Sequence, residues 1–301
     1  MTLDIPLIDL TGTRVAGSRE EREVAHQIDR ACRDIGFFTL CGHGIDRRVF
    51  EEANAALAGF FARPMPDKVR CKLATGATLA TDDYTPYGYS SLLEENAFAY
   101  MGIADKPSDY VEKLSAGRLI LSDATPLPFP DDAPGRALRQ AVKAYYQACE
   151  ALANRVTELF TLSLDLPRDY FARRIDRSND SLRAHRYPGF TGEYDNDQGM
   201  GEHTDGTLIT ILTHTAPGIQ VRTRDGVWIT PQFREVDHFI VNIGDLMAHW
   251  TKQAYVSTPH RVVLGREPRQ SIVFFKLTNE DEMVQFGNKQ MDALFGREVS
   301  P

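Results

Sequence analysis

His203, Thr204 and Asp205 place an imidazole and a carboxylate two residues apart, and in an extended strand both side chains turn to one face. His260 follows 55 residues after Asp205, beside the apolar run Arg261 to Leu264, so one crossing of a sheet returns a second imidazole to the same mouth. Two histidines and one carboxylate on one face of an octahedron leave three positions open, an arrangement suited to non-heme ferrous iron that activates O2. His-x-Asp also recurs by chance, and a lone strand histidine is more often a hydrogen-bonded core or surface residue. The trio therefore needs company.

Arg269 and Ser271 supply it. They lie nine and eleven residues after His260 and share a strand face, where a guanidinium and a hydroxyl can hold one carboxylate. A further run puts Arg183, His185 and Tyr187 in phase, against Leu182, Ala184 and Arg186 on the other side. Periodicity leaves both orientations open, because Arg186 interrupts the otherwise apolar set. We carry forward Tyr187 inward.

Seven short runs must position these residues: Leu182 to Tyr187, Leu208 to Leu212, Ile219 to Arg222, Val227 to Thr230, His238 to Asn242, Arg261 to Leu264 and Ser271 to Leu277. Strands at this pitch predict a β-sandwich or barrel. Upstream, Ser18 and Glu21 form a capping-box pattern before Val24, Ile28 and Cys32, with Gly36 as the C-terminal cap. Phe37 to Cys41 reads as a strand, and Asp46 caps a helix carrying Val49, Ala53, Leu57 and Phe60. Leu138, Val142, Tyr145, Cys149, Leu152, Val156 and Leu159 step by fours and threes, predicting a long helix that backs the sheet. From about 64 to 134 prolines are frequent, and loops with short strands are expected.

The chain of 301 residues carries 42 acidic and 34 basic side chains, a formal charge of 34 − 42 = −8, which argues against a polyanion-binding surface. No run approaches the roughly 20 apolar residues of a membrane span, and MTLDIPLIDL lacks the form of a secretory signal. Cys32, Cys41, Cys71 and Cys149 show no paired spacing and read as reduced thiols. We expect a soluble, cytoplasmic protein without nucleic-acid or membrane partners. It reads as one domain, 1–301: a support region at 1–175, a catalytic core at 178–280 and a C-terminal lid segment at 281–301.

These residues, in this order, resemble the isopenicillin N synthase-like family of iron(II) and 2-oxoglutarate-dependent oxygenases. The resemblance runs nearly end to end. It is carried by Ile5 to Leu10, by Asp34 to Phe38 with His43-Gly44-Ile45, and in the barrel by Arg186-Tyr187-Pro188, His203-Thr204-Asp205, Gly218 to Val221, Asp225 to Trp228, Asn242 to Asp245, His260-Arg261-Val262 and Arg269-Gln270-Ser271. It implies a mixed α+β fold with a double-stranded β-helix (jelly-roll) core, supporting N-terminal helices and a long backing helix. It also implies that His203, Asp205 and His260 bind Fe(II), and that Arg269 and Ser271 hold the distal carboxylate of the cosubstrate 2-oxoglutarate with Tyr187 as a further contact. His43 matches a structural position. His26, His214, His238 and His249 match no ligand position and read as structural or surface residues.

The implied reaction oxidises an unactivated C–H bond of a small organic or natural-product substrate, releasing succinate and CO2. Hydroxylation is the default, with desaturation, ring closure or ring expansion from other substrate poses. Roles in antibiotic biosynthesis belong to this class. The alternative is an iron oxidase of the isopenicillin N synthase type that takes electrons elsewhere than 2-oxoglutarate. His185 departs from the asparagine that many plant members have at its position. Arg183 matches a position where a bacterial relative presents arginine to its substrate's carboxylate. Tyr84, Tyr87, Tyr89, Phe275, Met291 and Phe295 complete the substrate-pocket candidates, each against a core-packing reading.

Overall fold

A computed structural model of the chain describes residues 4–13, 15–72, 87–103, 105–121 and 129–282. The first part comprises β1 (Leu7–Asp9), α1 (Arg19–Asp34), β2 (Phe37–Cys41), α2 (Arg47–Phe61), α3 (Met65–Val69), β3 (Gly88–Ser90), α4 (Ala97–Tyr100), β4 (Glu112–Gly117), α5 (Ala133–Ser163) and α6 (Ala172–Ile175). The second comprises β5 (Ser181–Tyr187), β6 (Gln198–His203), β7 (Ile209–His214), β8 (Ile219–Arg222), β9 (Trp228–Ile229), β10 (Phe239–Ile243), α7 (Asp245–Trp250), β11 (His260–Val263) and β12 (Arg269–Lys276).

The helices form where capping and periodicity place them. Ser18 Oγ accepts the Glu21 N–H at 3.0 Å, while the Glu21 carboxylate reaches back to the Gly17 N–H. Glu21 also joins α1 to the backing helix through Arg155 and to the segment after that helix through Arg168, each of which donates to it at 2.7 Å. At the other end of α1, Gly36 adopts φ +69° and bonds back to the Ala31 carbonyl. A Cβ there would overlap the Val256 carbonyl, so glycine is required by conformation and by space. The predicted stripe of α5, from Leu138 to Leu159, is buried in a core shared with α1, α2 and the outer face of the large sheet.

Two sheets carry the rest. The larger runs β1-β2-β10-β7-β12-β5-β4-β3 and the smaller β6-β11-β8-β9. Ile219, Val221 and Ile229 of the small sheet pack in one cluster with Phe37, Leu212, Ile240 and Val273 of the large one, so the sheets face each other. Strands β5 to β12, dealt between the two sheets, make the jelly roll. β1 to β4 widen the large sheet at both edges.

Two expectations are corrected. Periodicity predicts seven core strands where the jelly roll has eight. The missing one, β6, has the sequence QGMGEH, with two glycines and no β-branched residue, so it carries no local strand signal. Second, His203 and Asp205 do not lie together within a strand: β6 ends at His203, and Asp205 sits in the turn that follows. No helix among the described residues is long and apolar enough to cross a membrane.

Candidate active site

Pairing between β6 and β11 sets His203 directly opposite His260. Their ring centroids lie 4.3 Å apart. Asp205 turns back from the loop after β6, with Oδ1 3.8 Å from His203 Nε2 and Oδ2 3.7 Å from His260 Nε2. One ligand atom from each of the three residues lies within 4.8 Å of the others, close enough to meet on a single ion. The register of two strands, rather than the reach of one, brings the trio together.

The surroundings prepare these atoms for a metal. His203 Nδ1 lies 2.8 Å from the Gly201 carbonyl and His260 Nδ1 3.1 Å from the Thr258 carbonyl. A carbonyl only accepts, so each ring donates from Nδ1 and keeps the Nε2 lone pair for the centre. Burial, together with His260 nearby, lowers the His203 pKa to about 4, so its ring is neutral at physiological pH. Asn242, on β10, donates to Asp205 Oδ2 at 2.7 Å. Burial alone would raise the Asp205 pKa, but His260, His203 and Asn242 hold it below its ordinary value.

A second cluster lies on the inner face of the large sheet. Arg269 pairs with Tyr187 and Ser271 with His185 across β12 and β5, so these four residues share that face. Tyr187 therefore points inward, as expected, and is buried. The Arg269 guanidinium lies 5.0 Å from the Tyr187 ring centroid, donates to the Ala216 carbonyl at 3.0 Å and lies 3.4 Å from Ser271 Oγ. It is 4% exposed and makes no ion pair with an acid among the described residues. Burial lowers its pKa. A buried guanidinium without an acid beside it is costly, and a ligand carboxylate would offset that cost. The donor set thus fits Fe(II) at one cluster and an anionic cosubstrate at the other.

Sequence reasoning misses several residues here. Asn242 stands only within a motif, without a partner. His214 reads as structural or surface, yet pairing places it opposite Ser271; burial and Arg269 lower its pKa to about 4. Asp109 escapes notice entirely: it is buried and accepts from the Gly201, Ala97 and Gln198 nitrogens, tying α4 to the strand that carries His203. None has a local signal, because each acts on a partner far along the chain.

The remaining candidates divide. Arg183 and His185 lie on the inner face in phase with Tyr187, and Phe275 lies there with Arg269 and Ser271, its ring centroid 4.8 Å from the Arg183 guanidinium. Tyr87 packs on Gly117, four residues along β4 from Lys113, with its hydroxyl 3.5 Å from Asn179 Oδ1. Tyr89 joins the helix-side core instead, against Phe60 and with its hydroxyl on Glu112. His43 bonds the Asp237 carbonyl and packs on Phe50 and Phe239. All four cysteines are free thiols. Tyr84, Met291 and Phe295, and the segment from 283 to the C-terminus, lie outside the described residues.

Comparison with known proteins agrees with this geometry. Residues 5–135 match the family described as non-haem dioxygenase in morphine synthesis N-terminal, and residues 178–278 match the 2OG-Fe(II) oxygenase superfamily. The chain is 32% identical over 293 residues to the 2-oxoglutarate-Fe(II) type oxidoreductase ppzC of Metarhizium rileyi, covering 90% of this chain and 77% of that protein. It is 28% identical to gibberellin 20 oxidase 1 of Arabidopsis thaliana, covering 99% and 76%. A full-length Neurospora crassa protein, crystallised in complex with alpha-KG and thymine, superposes with a TM-score of 0.78 at 26% identity, covering 91% of this chain and 86% of that one. The chain belongs to the 2OG-Fe(II) oxygenase superfamily, within its isopenicillin N synthase-like branch. It is a 2-oxoglutarate-dependent Fe(II) dioxygenase, with Fe(II), 2-oxoglutarate and O2 as its requirements.

Proposed function

We propose that the protein oxidises an unactivated C–H bond of a small organic molecule or natural-product intermediate, with hydroxylation as the default outcome. Desaturation, ring closure and ring expansion differ from it in the pose of the substrate. A place in natural-product biosynthesis, antibiotics included, goes with that substrate class. The observation that carries the cosubstrate assignment is Arg269, a buried guanidinium with no acidic partner among the described residues, on a face shared with Ser271 and Tyr187.

In this reading His203, Asp205 and His260 hold the iron, and Arg269 with Ser271 binds the distal carboxylate of 2-oxoglutarate against the Tyr187 ring. Together these groups supply the oxidising power: O2 and 2-oxoglutarate are consumed, succinate and CO2 are released, and the substrate is oxidised. The protein contributes aim and enclosure. Gly201 and Thr258 carbonyls fix the imidazole tautomers, Asn242 orients the Asp205 carboxylate, and the two facing sheets exclude water. Thymine in the Neurospora crassa structure is an example of a small cyclic ligand on this fold.

An anaerobic titration with Fe(II) and 2-oxoglutarate, followed by a small-molecule screen scored by succinate release, tests the reading. A visible charge-transfer band that requires both components, and substrate-dependent succinate, are expected. Oxygen uptake without succinate would instead favour an iron oxidase.

A further inference from the structure

β6 is the edge of the small sheet, with β11 on one side and no strand on the other among the described residues. His203 closes this strand, yet its sequence, QGMGEH, holds two glycines and no β-branched residue. An edge strand so composed is weakly held by its own ladder. A metal ligand, by contrast, works only when held within about 0.5 Å of its productive position. His260 has a firmer seat, because β11 lies between β6 and β8.

The segment after α4 supplies the missing support. The Tyr110 N–H donates to the Gln198 carbonyl at 3.1 Å, and Asp109 Oδ1 accepts the Gly201 N–H at 2.8 Å and Gln198 Nε2 at 2.9 Å. Asp109 Oδ2 accepts the N–H of Ala97, the first residue of α4, at 2.8 Å. Phe98 lies so close on Gly201 that a Cβ there would come within 2.5 Å of its ring. Asp109 is 1% exposed, so its carboxylate is solvated by these three N–H groups in place of water. Burial raises its pKa, while the Ala97, Gly201 and Gln198 donors and then His203 oppose that rise. Gly201 is the joint: its N–H is held by Asp109, and its carbonyl takes Nδ1 of His203 at 2.8 Å.

We propose that Asp109 is a positioning residue for the iron centre: its carboxylate fixes Gly201, and the Gly201 carbonyl in turn fixes the rotation and tautomer of the His203 ring. The inference rests on the proposed role of His203 as an iron ligand. Without the carboxylate, the Gly201 and Ala97 N–H groups are left buried and unpaired, a cost that the strand end and α4 relieve only by moving. His203 Nε2 then leaves its line to Asp205 and His260. A residue in the N-terminal part of the chain thereby sets the aim of a ligand in the jelly roll.

The test uses whole, metal-free protein titrated with Co(II), which stands beside Fe(II) in the order of affinities and reports its geometry in the visible spectrum. Asp109→Ala is expected to weaken Co(II) binding by about tenfold or more and to alter the visible bands, as loss of an outer partner of a metal-binding histidine does. Asp109→Asn keeps one oxygen for the Gly201 N–H and is expected to stay within about threefold of the parent. Glu21→Gln, far from the site, controls for lost stability and is expected to leave the affinity and bands unchanged. Asp109→Ala within about threefold of the parent overturns the proposal, as does an equal loss in Glu21→Gln. Should Asp109→Ala fail to fold, amide exchange in the unaltered protein decides. Co(II) is expected to slow the Ala97 amide, bonded to Asp109, by about tenfold more than the Ala99 amide, bonded to Asn96. Equal slowing of the two overturns the proposal. Failure of the unaltered protein to bind Co(II), or undiminished binding by His203→Ala, would instead defeat the proposed iron site.

Discussion

Replacing Arg269 with methionine separates a binding role from a structural one. The guanidinium is 4% exposed, spends one donor on the Ala216 carbonyl at 3.0 Å and has no acid to neutralise it among the described residues. Removing one partner of a buried, hydrogen-bonded charge pair costs about 2–5 kcal/mol. At about 1.4 kcal/mol per decade, 2-oxoglutarate should bind roughly thirty-fold to several thousand-fold more weakly. Without 2-oxoglutarate the sign reverses. Methionine fills similar volume and removes a lone buried charge, so the ligand-free variant should be at least as stable as the parent. Cosubstrate at about 100 times its dissociation constant stabilises the parent by about 2.7 kcal/mol, and a thousand-fold weaker site loses nearly all of that gain. Anaerobic calorimetry on Fe(II)-loaded protein gives the affinity, and thermal unfolding with and without 2-oxoglutarate gives the stability. Affinity within about threefold of the parent, or a ligand-free variant weakened by several kcal/mol, would falsify the assignment.

Two further perturbations probe the metal trio and the frame. His203→Ala should abolish Fe(II) binding and iron-dependent turnover; an active, iron-replete variant would remove His203 from the ligand set. Glu21 has its pKa lowered to about 2: burial raises it, but hydrogen bonds from Arg168, Gly17 and Arg155 outweigh burial. The unfolded chain thus binds more protons between pH 4.5 and about 2, so the stabilisation is present above pH 4.5 and lost as the pH falls through that window. Glu21→Gln should lower stability at neutral pH by roughly 2 kcal/mol, less than a fully enclosed pair because both arginines are partly exposed. Its denaturant midpoint should also fall less steeply with acid than the parent's, and an unchanged acid limb would count against the Glu21 account.

Local and periodic features were legible in the residues alone. Ser18 and Glu21 act within four residues, α5 shows its buried stripe at helical spacing, and Arg269 and Ser271 share a face by strand periodicity. His203, Asp205 and His260 were recognisable as a possible trio by residue type. What the chain could not display locally was pairing. β6 is a strand because it lies against β11, despite its glycines, and only that register sets His203 opposite His260. The inward face of β5 was ambiguous until β12 and β4 flanked it. Asn242 meets Asp205 across 37 residues, and Lys113 meets His185 across the β4–β5 strand pair. Side-chain alternation and helical turns arise from backbone geometry and repeat every few residues, so a sequence records them. Strand register follows from which faces bury together, and that choice exists only once the chain has folded.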